Sequence, residues 1–485
     1  MRHYRDALAV LDARPDDRRR GQILEAVGDH LYRRGQVEVG QSTRREAAAA
    51  FERLGLLREA GNLHRKIARG MREDPTAARH HWEEARRLLE ALPESPELAR
   101  LYTTIAGYLY EDGDPVGAGD LYARAIAVAR RVEDPQTQVA GEIVLAGLRP
   151  VEESDRVFTD LAEALDVAQR RGLDELVPNL YMVLGLARFH VQGDGVGAVA
   201  AVEAALAAAR RTKDVFSERT IEGNLAAFVE WRQGDDDRAL RTVAAHLQYA
   251  GGDPRKLLPT ALLVDADIAL TRGEAERAAG DLDEVEALLE NGGDWNERAH
   301  LRNVRARFEL RRGRLPKARG LLTEAHDLAV RAGVPAVMAA LHAETLGLEL
   351  EAALRAGEPA AAEKARELLE DLSRRSAQAT VRAYATRGEG LRRAAVGDSV
   401  GGATKLTEAI DLWERPGWQY ELASTRLELA RLARQAGDSD QANALDRGQG
   451  VRELQQESVS HRLHLSTVVA GELRSNEAVL LLAQP

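Results

Sequence analysis

The sequence predicts an all-α protein: a right-handed α-solenoid of about eleven or twelve helix-turn-helix repeats, each of about 40 residues. The first observation is a column of glycines that recur at intervals of 41, 39, 40, 44, 40 and 40 residues. These glycines are Gly193, Gly234, Gly273, Gly313, Gly357, Gly397 and Gly437. The second is a small residue five positions after each glycine, namely Ala198, Ala239, Ala278, Ala318, Ala362, Gly402 and Ala442. A helical repeat of this length indicates stacked helix pairs that share a continuous core.

The residues that follow the glycines predict helix-to-helix turns. An acidic residue comes next in most units, as in Gly193-Asp194 and Gly397-Asp398. Glycine adopts the left-handed conformation that ends a helix, and Asp caps the helix that follows. A second set of turn residues falls midway between the glycines, as at Gly333-Val334-Pro335. Two turns in each period indicate two helices in each period.

The domain organisation follows from the extent of the repeat. A chain of 485 residues has room for about three ordinary domains, but the repeat predicts one superhelical domain over residues 1–454. Residues 455–485 leave the repeat, and we expect them to form a C-terminal cap or a flexible tail. Aromatic residues make up 4% of the chain, which suits closely packed helices and argues against a β-sandwich or barrel.

Composition excludes several kinds of site. The chain has no cysteine, so it has neither disulfides nor thiolate metal ligands. The net charge of −11 disfavours direct nucleic-acid binding, which needs a basic surface. The N-terminus lacks the apolar stretch of a signal peptide, and the apolar segment 196–209 is too short to cross a bilayer. We therefore expect a soluble, cytoplasmic protein without a membrane partner.

The early part of the chain keeps the phase of the repeat less regularly. Residues 1–16 have the pattern of the second helix of a repeat, and residues 19–34 that of a first helix ending at Gly35. We expect an irregular stretch over residues 36–43. The next pair is predicted at 56–70 and 75–92, with its turn at Asp74-Pro75.

The unit at 97–132 resembles the tetratricopeptide repeat (TPR) consensus. Large, small and aromatic residues and the turn glycine stand in the consensus order at Tyr102, Ile105, Ala106, Leu109, Gly113, Ala118, Tyr122 and Ala125. The unit at 136–172 is degenerate, and the units from 174 to 445 are regular.

The regular units have a period of about 40 residues, longer than the 34 of the ordinary repeat. This longer form resembles the MalT-like TPR region of STAND/LuxR-type and cyclase-linked bacterial regulators, and residues 413–430 are similar to its last repeats. The resemblance implies an architecture more than a function. The run Gly397–Lys405 has the wrong spacing for a nucleotide-binding P-loop, and the C-terminus lacks a helix-turn-helix pattern, so neither ATPase nor DNA-binding activity is carried over.

The sequence predicts no catalytic, cofactor or metal site. The only close histidine groups are His80-His81 and His461 with His464. Adjacent histidines on a helix point about 100° apart, so His80 and His81 are poorly placed to share a metal ion. No Ser-His-Asp order or nucleophile elbow is visible. We therefore expect a binding protein rather than an enzyme.

The better functional candidate is the concave face, which the first helix of each pair lines in TPR proteins. Alignment on the glycines places nine candidate binding residues there: Thr103, Tyr110, His190, Asn224, Phe228, Trp231, Asp267, Asn303 and Arg307. Asn, Arg and aromatic side chains suit the recognition of a peptide or a sugar. The alternative is that these residues are solvated or fill gaps between helices.

The function that these observations favour is a protein-interaction scaffold or regulatory module, which binds a partner protein or peptide on the concave face. The alternative is a ligand-sensing arm of a transcriptional regulator, as the MalT-like resemblance implies, with a small-molecule inducer as its ligand. The first predicts a groove that takes an extended chain or a helix. The second predicts a closed pocket with stacked aromatic residues and polar groups near residues 224–307.

Overall fold

The computed structural model describes residues 18–33, 36–71, 75–252, 258–290, 294–414 and 417–446. Within these ranges the chain forms 22 helices in eleven consecutive pairs, if the interrupted helix at 215–232 is counted once. The all-α helical-repeat fold predicted from the sequence is confirmed. The helix expected at 1–16, the turn residues Gly35 and Asp74, and the tail 455–485 lie outside the described residues.

The first helices of the pairs contact one another and form the inner layer. They are α1 (Arg18–Arg33), α3 (Leu57–Arg69), α5 (Pro96–Glu111), α7 (Pro135–Gly147), α9 (Val177–Ala187), α11 (Val215–Ile221 and Ala227–Arg232), α13 (Pro259–Thr271), α15 (Trp295–Arg311), α17 (Ala339–Arg355), α19 (Ala379–Ala395) and α21 (Gln419–Gln435). A π-helical turn, Arg188–Gln192, extends α9, and another, Glu222–Ala226, joins the two parts of α11.

The second helices form the outer layer, and each packs against the first helix of its own pair. They are α2 (Val37–Arg53), α4 (Pro75–Glu90), α6 (Pro115–Arg131), α8 (Ser154–Arg171), α10 (Gly195–Thr212), α12 (Asp236–Ala250), α14 (Ala275–Glu290), α16 (Leu315–Arg331), α18 (Pro359–Arg375), α20 (Ser399–Glu414) and α22 (Ser439–Asp446).

The glycine column ends the inner helices as predicted. All seven glycines have φ between 64° and 90°, the left-handed region that a side chain disfavours. The following Asp caps the outer helix: the Asp194 carboxylate accepts from the Gly197 amide at 2.8 Å, and Asp398 accepts from Gly401 at 2.9 Å. Glu358 makes no such bond. An acidic residue after the glycine therefore acts as a cap where it is Asp.

The small residues five positions after each glycine are all buried between the two helices of a pair. At Gly402 a Cβ atom would lie 3.1 Å from both the Ala394 nitrogen and the Gly390 oxygen, so the backbones of α19 and α20 are in direct contact. The prediction that this column allows close helix packing is confirmed.

The irregular stretch expected over residues 36–43 is wrong. Helix α2 begins at Val37 and runs without a break to Arg53. Gly40, within this stretch, lies against α1: a Cβ there would be 2.8 Å from the Tyr32 nitrogen and 2.9 Å from the Gly28 oxygen. Glycine is present because the two backbones touch, and not because the helix ends.

The superhelix turns tightly enough for distant pairs to meet. Long-range contacts join residues 185 to 190 positions apart in the sequence. They are Tyr110 with Trp295, Pro150 with Pro335, His190 with Thr380, and Arg232 with Glu421. The inner faces of α9 and α11 are therefore in contact with α19 and α21. An open inner surface remains along the later inner helices. Among the described helices, none is both long and apolar enough to cross a bilayer.

Candidate functional site

A network of buried charges lies where the early and late inner helices meet. The Arg232 side chain of α11 is 1% exposed and donates to Glu421 of α21 and, at 3.1 Å, to Glu344 of α17. Its guanidinium carbon lies 4.4 Å from the centroid of the Trp231 ring and 4.8 Å from that of Trp418. Arg232 therefore ties three inner helices together while it stacks on two aromatic rings.

Arg307 of α15 extends the network toward the C-terminal inner helices. It donates to both carboxylate oxygens of Asp267 at 2.7 Å, and it also donates to Glu344. Burial raises the pKa of Asp267 to about 6, although Arg307 and Arg232 act in the opposite direction. At Glu344 burial again favours the neutral form, but Arg307 and Arg232 outweigh it and hold the pKa below its ordinary value.

An aromatic cluster closes the network on its N-terminal side. Phe189 stacks on Trp418 with ring centroids 5.3 Å apart and meets Phe228 edge-on at 5.8 Å. His190 lies 5.6 Å from Phe228, and burial together with nearby Arg232 lowers the pKa of His190 to about 3. Phe189, Phe228 and Trp418 belong to the main hydrophobic core.

On its C-terminal side the network forms the floor of an open cavity of about 710 Å³, which helices α13, α15, α17, α19 and α21 line. Arg307, Glu344, Tyr384 and Glu421 are the buried residues at its base. The Tyr384 hydroxyl donates to Glu421 at 3.2 Å, and burial with the neighbouring Glu344 raises its pKa, so the phenol stays protonated.

The cavity wall carries a second group of charges. Arg387 of α19 donates through Nη2 to Glu351 at 3.2 Å and to the Ser424 hydroxyl at 3.2 Å. Glu351 also pairs with Arg355 at 2.5 Å. Burial opposes ionisation of Glu351, but Arg355 and Arg387 prevail and lower its pKa to about 2. One carboxylate thus serves two guanidinium groups.

The mouth of the cavity is polar and aromatic. Tyr420 accepts a hydrogen bond from Arg311 at 3.4 Å. The exposed Arg312 packs on the Phe308 ring, with its guanidinium carbon 5.1 Å from the ring centroid. Arg431 pairs with Glu428 at 2.5 Å. Arginine and tyrosine side chains around an apolar lining of leucines are typical of protein-interaction sites.

Of the nine residues predicted for the concave face, Arg307 lines the cavity. Asp267 lies directly behind it as its ionic partner. Trp231 lies near both, with its ring centroid 5.9 Å from the Arg307 guanidinium carbon. Phe228 and His190 belong to the buried aromatic cluster. These five are brought together by the fold.

The other four predicted residues lie elsewhere. Asn303 is fully buried: its amide donates to the Leu341 carbonyl at 3.3 Å. Asn224 is partly exposed on the π-helical turn of α11. Thr103 bonds within its own helix, and Tyr110 packs edge-on against Trp295. A binding role stays a prediction for all nine residues.

Sequence reasoning missed several cavity residues that share the alignment of Arg307. Asp267 and Arg307 stand six positions before their glycines, and the same position holds Glu351 and Arg431 in later units. Arg387 stands ten positions before its glycine, as Asn303 does. Extending the two columns to the last three units would have found them. Glu344 and Glu421 follow neither column.

Two groups of histidines are in contact in the described ranges, and His80 lies beside the first of them, with its ring centroid 5.4 Å from that of His81. His64 and His81 lie with their Nδ1 atoms 2.9 Å apart, and His326 Nδ1 lies 3.0 Å from His342 Nε2. No group of three or more His, Asp or Glu residues in the described ranges is arranged to hold a metal ion.

The sequence matches no protein-family model and no curated protein. Among solved structures it is similar to a Rap protein complexed with competence and sporulation factor, with 12% identity, TM-score 0.30, and coverage of 92% of this chain and 99% of that one. It is also similar to NprR in complex with its cognate peptide NprX, with 14% identity, TM-score 0.40, and coverage of 68% and 99%. A third is a tetratricopeptide repeat protein from Parabacteroides merdae, with 13% identity, TM-score 0.31, and coverage of 68% and 99%. These likenesses are too distant to assign a ligand to this chain.

Proposed function

We propose that this protein is a regulatory or scaffolding module that binds a short peptide, or an extended segment of a partner protein, in the cavity of its inner layer. The observation that carries the proposal is the cavity itself: about 710 Å³, open to solvent and lined by five consecutive inner helices. The aligned helices present side chains at a regular spacing along one face, which suits a ligand that repeats along its own length.

The chemistry of the lining supports a peptide ligand. Tyr420 and Tyr384 offer ring faces and hydroxyl groups, and Ser424 and the arginines offer hydrogen bonds. Leu310, Leu348 and Leu427 give apolar surface between them. Binding sites combine such apolar surface with a few placed polar groups, and tyrosine and arginine are the residues that most often dominate binding energy.

A cavity-filling substitution tests the proposal. We expect a degenerate hexapeptide pool to slow amide hydrogen exchange in α17, α19 and α21 of the wild-type protein. Leu427→Trp, which places an indole in the cavity, should abolish this protection. The matched control is Val400→Trp on outer helix α20, where the side chain is 81% exposed and the pool should protect as before. Absence of protection in the wild type, or equal protection in both variants, would refute the proposal.

A small-molecule sensor is the second candidate, in keeping with the MalT-like resemblance. One observation favours it: the cavity volume lies within the range of about 300 to 1,000 Å³ that is common for small-ligand pockets. A thermal-shift screen against metabolites separates the two candidates. A metabolite that raises the melting temperature of the wild type and of Val400→Trp, but not of Leu427→Trp, would favour the sensor if no peptide pool does the same.

A further inference from the structure

We infer that the ligand of this cavity carries a carboxylate, which the arginines at the wall and mouth bind. The inference rests on the proposed function, since it specifies the kind of peptide that the cavity takes. It follows from the distribution of charge among the lining residues and from the hydrogen-bond donors that remain unused.

The cavity is positively charged within a negatively charged protein. Six guanidinium groups line it against four carboxylates, whereas the whole chain has a net charge of −11. The guanidinium groups belong to Arg307, Arg311, Arg312, Arg355, Arg387 and Arg431. The carboxylates belong to Glu344, Glu351, Glu421 and Glu428.

The positive excess lies away from the floor. At the base, Arg307 is held by Asp267 and Glu344, and Arg232 behind the floor is held by Glu344 and Glu421. Two guanidinium groups there face three carboxylates. The wall and mouth therefore carry the surplus, with five guanidinium groups against two carboxylates.

Arg387 has hydrogen-bond donors that the described part of the protein leaves unused. Both of its hydrogen bonds, to Glu351 and Ser424, leave from Nη2. Its Nε is buried without a hydrogen-bond partner in the described structure, and no bond from its Nη1 is present there. Glu351 is shared with Arg355, so its charge is divided between two guanidinium groups. A guanidinium group has five donors, and Arg387 directs one nitrogen at protein acceptors.

Arg312 lacks a counter-charge altogether among the residues that the structure describes. Its one described contact is with the Phe308 ring, at 5.1 Å. The ring holds the guanidinium group at the cavity mouth and leaves its donors to solvent. A carboxylate that enters the cavity would gain charge-assisted hydrogen bonds at Arg387 and attraction from Arg312. In a peptide this carboxylate is either an acidic side chain or the C-terminus.

Charge-matched peptide pools test the inference. Rhodamine-labelled hexapeptide pools would carry Glu-Glu, Gln-Gln or Lys-Lys at the two central positions, each with a free or an amidated C-terminus, and binding would be followed by fluorescence anisotropy. We expect the Glu-Glu pools to bind about tenfold tighter than the Gln-Gln pools at low salt, with the difference shrinking as salt screens the charges. If the Gln-Gln pool with a free C-terminus binds about tenfold tighter than the amidated Gln-Gln pool, the terminal carboxylate is the bound group.

Two variants tie the effect to the cavity. Arg312→Gln and Arg387→Gln should each weaken the Glu-Glu pool severalfold and leave the Gln-Gln pool nearly unchanged. The control is Arg302→Gln in helix α15, which ends just before Arg312. Arg302 pairs with Glu286 and Glu324 outside the cavity. Arg312 is exposed, so its variant is informative even if Arg387→Gln fails to fold.

The outcomes separate the two proposals. Equal binding of the acidic and neutral pools, or tighter binding of the Lys-Lys pool, would overturn the carboxylate inference and leave peptide binding intact. Failure of every pool to bind the folded wild-type protein would overturn the proposed function and this inference with it. An acidic preference that survives both variants would overturn the assignment to these arginines.

Discussion

Replacement of Arg307 by Met should be among the most destabilising single substitutions in the protein. Met has a similar length and fits an apolar space, so the main loss is the charge. Arg307 donates to Asp267 and Glu344, and all three side chains are buried. Without it, Asp267 has no ionic partner in the described structure, and Arg232 is the remaining ionic partner of Glu344 there. Removing one partner of a buried ion pair costs about 3 to 5 kcal/mol, which is our expected loss in the free energy of unfolding.

A control on the same helix isolates the effect of burial. Arg302 also bridges two carboxylates, Glu286 at 2.8 Å and Glu324 at 2.6 Å, but these are 36% and 59% exposed. Arg302→Met should therefore cost less than about 1 kcal/mol. Both variants are compared by urea unfolding followed by circular dichroism.

A double substitution then tests the mechanism. If Arg307→Met destabilises because Asp267 is left as an unpaired buried charge, Arg307→Met with Asp267→Leu should recover at least about 2 kcal/mol of the loss. Equal losses for Arg307→Met and Arg302→Met would refute the argument from burial. A double variant no more stable than Arg307→Met would refute the argument from the uncompensated carboxylate.

Three further predictions concern acid stability, the turns and the tail. Burial lowers the pKa of His190 and of His300 to about 3, below the ordinary 6.5, so the stability that their neutral forms contribute is present above pH 6.5 and is lost as the pH falls toward 3. The urea concentration at the unfolding midpoint should therefore fall over this pH range, and it should fall less steeply in His190→Asn. The same slope in the wild type and in His190→Asn would contradict the prediction. Gly273→Ala should lower the free energy of unfolding by about 1 to 2 kcal/mol because φ at this glycine is 75°. Gly280→Ala, in a helix interior with open space around it, should raise the free energy of unfolding by about 0.5 to 1 kcal/mol. Urea unfolding that shows a change of the same sign for both variants would contradict this prediction. If residues 455–485 cap the last pair, as the sequence suggests, their deletion should speed hydrogen exchange in α21 and α22, and unchanged exchange would argue for a flexible tail.

The sequence predicts the local features of this fold because single residues determine them. Gly193 takes the left-handed conformation at φ 64°, and Asp194 caps the next helix, as their residue types require. The expectation of an irregular stretch over residues 36–43 was wrong, and Gly40 within it makes a contact with another helix that a linear pattern does not show. Glycine as a turn residue and glycine as a contact residue look alike in a sequence.

The candidate site was less predictable because it depends on the rotations between successive helix pairs, summed along the superhelix. Whether Arg232 meets Glu421, 189 residues later, depends on small rotations summed over about five pairs. Those rotations decide that Phe228 and His190 lie in packed core, while Arg307, in the same alignment, faces a cavity. The repeat identifies which helix faces point inward. It does not tell which part of the inner face the chain itself covers.

The contacts between residues 185 to 190 positions apart also have a consequence for synthesis on the ribosome. In a simple solenoid each repeat needs only its neighbours, so folding can follow the chain as it emerges. Here the ion pair of Arg232 with Glu421 forms only after the ribosome has added the 189 residues that separate them. At about 5 to 20 residues per second, this delay is roughly 10 to 40 s. During this interval the aromatic surface around Phe189 and Trp231 lacks its later covering, which makes the nascent chain a candidate client for chaperones.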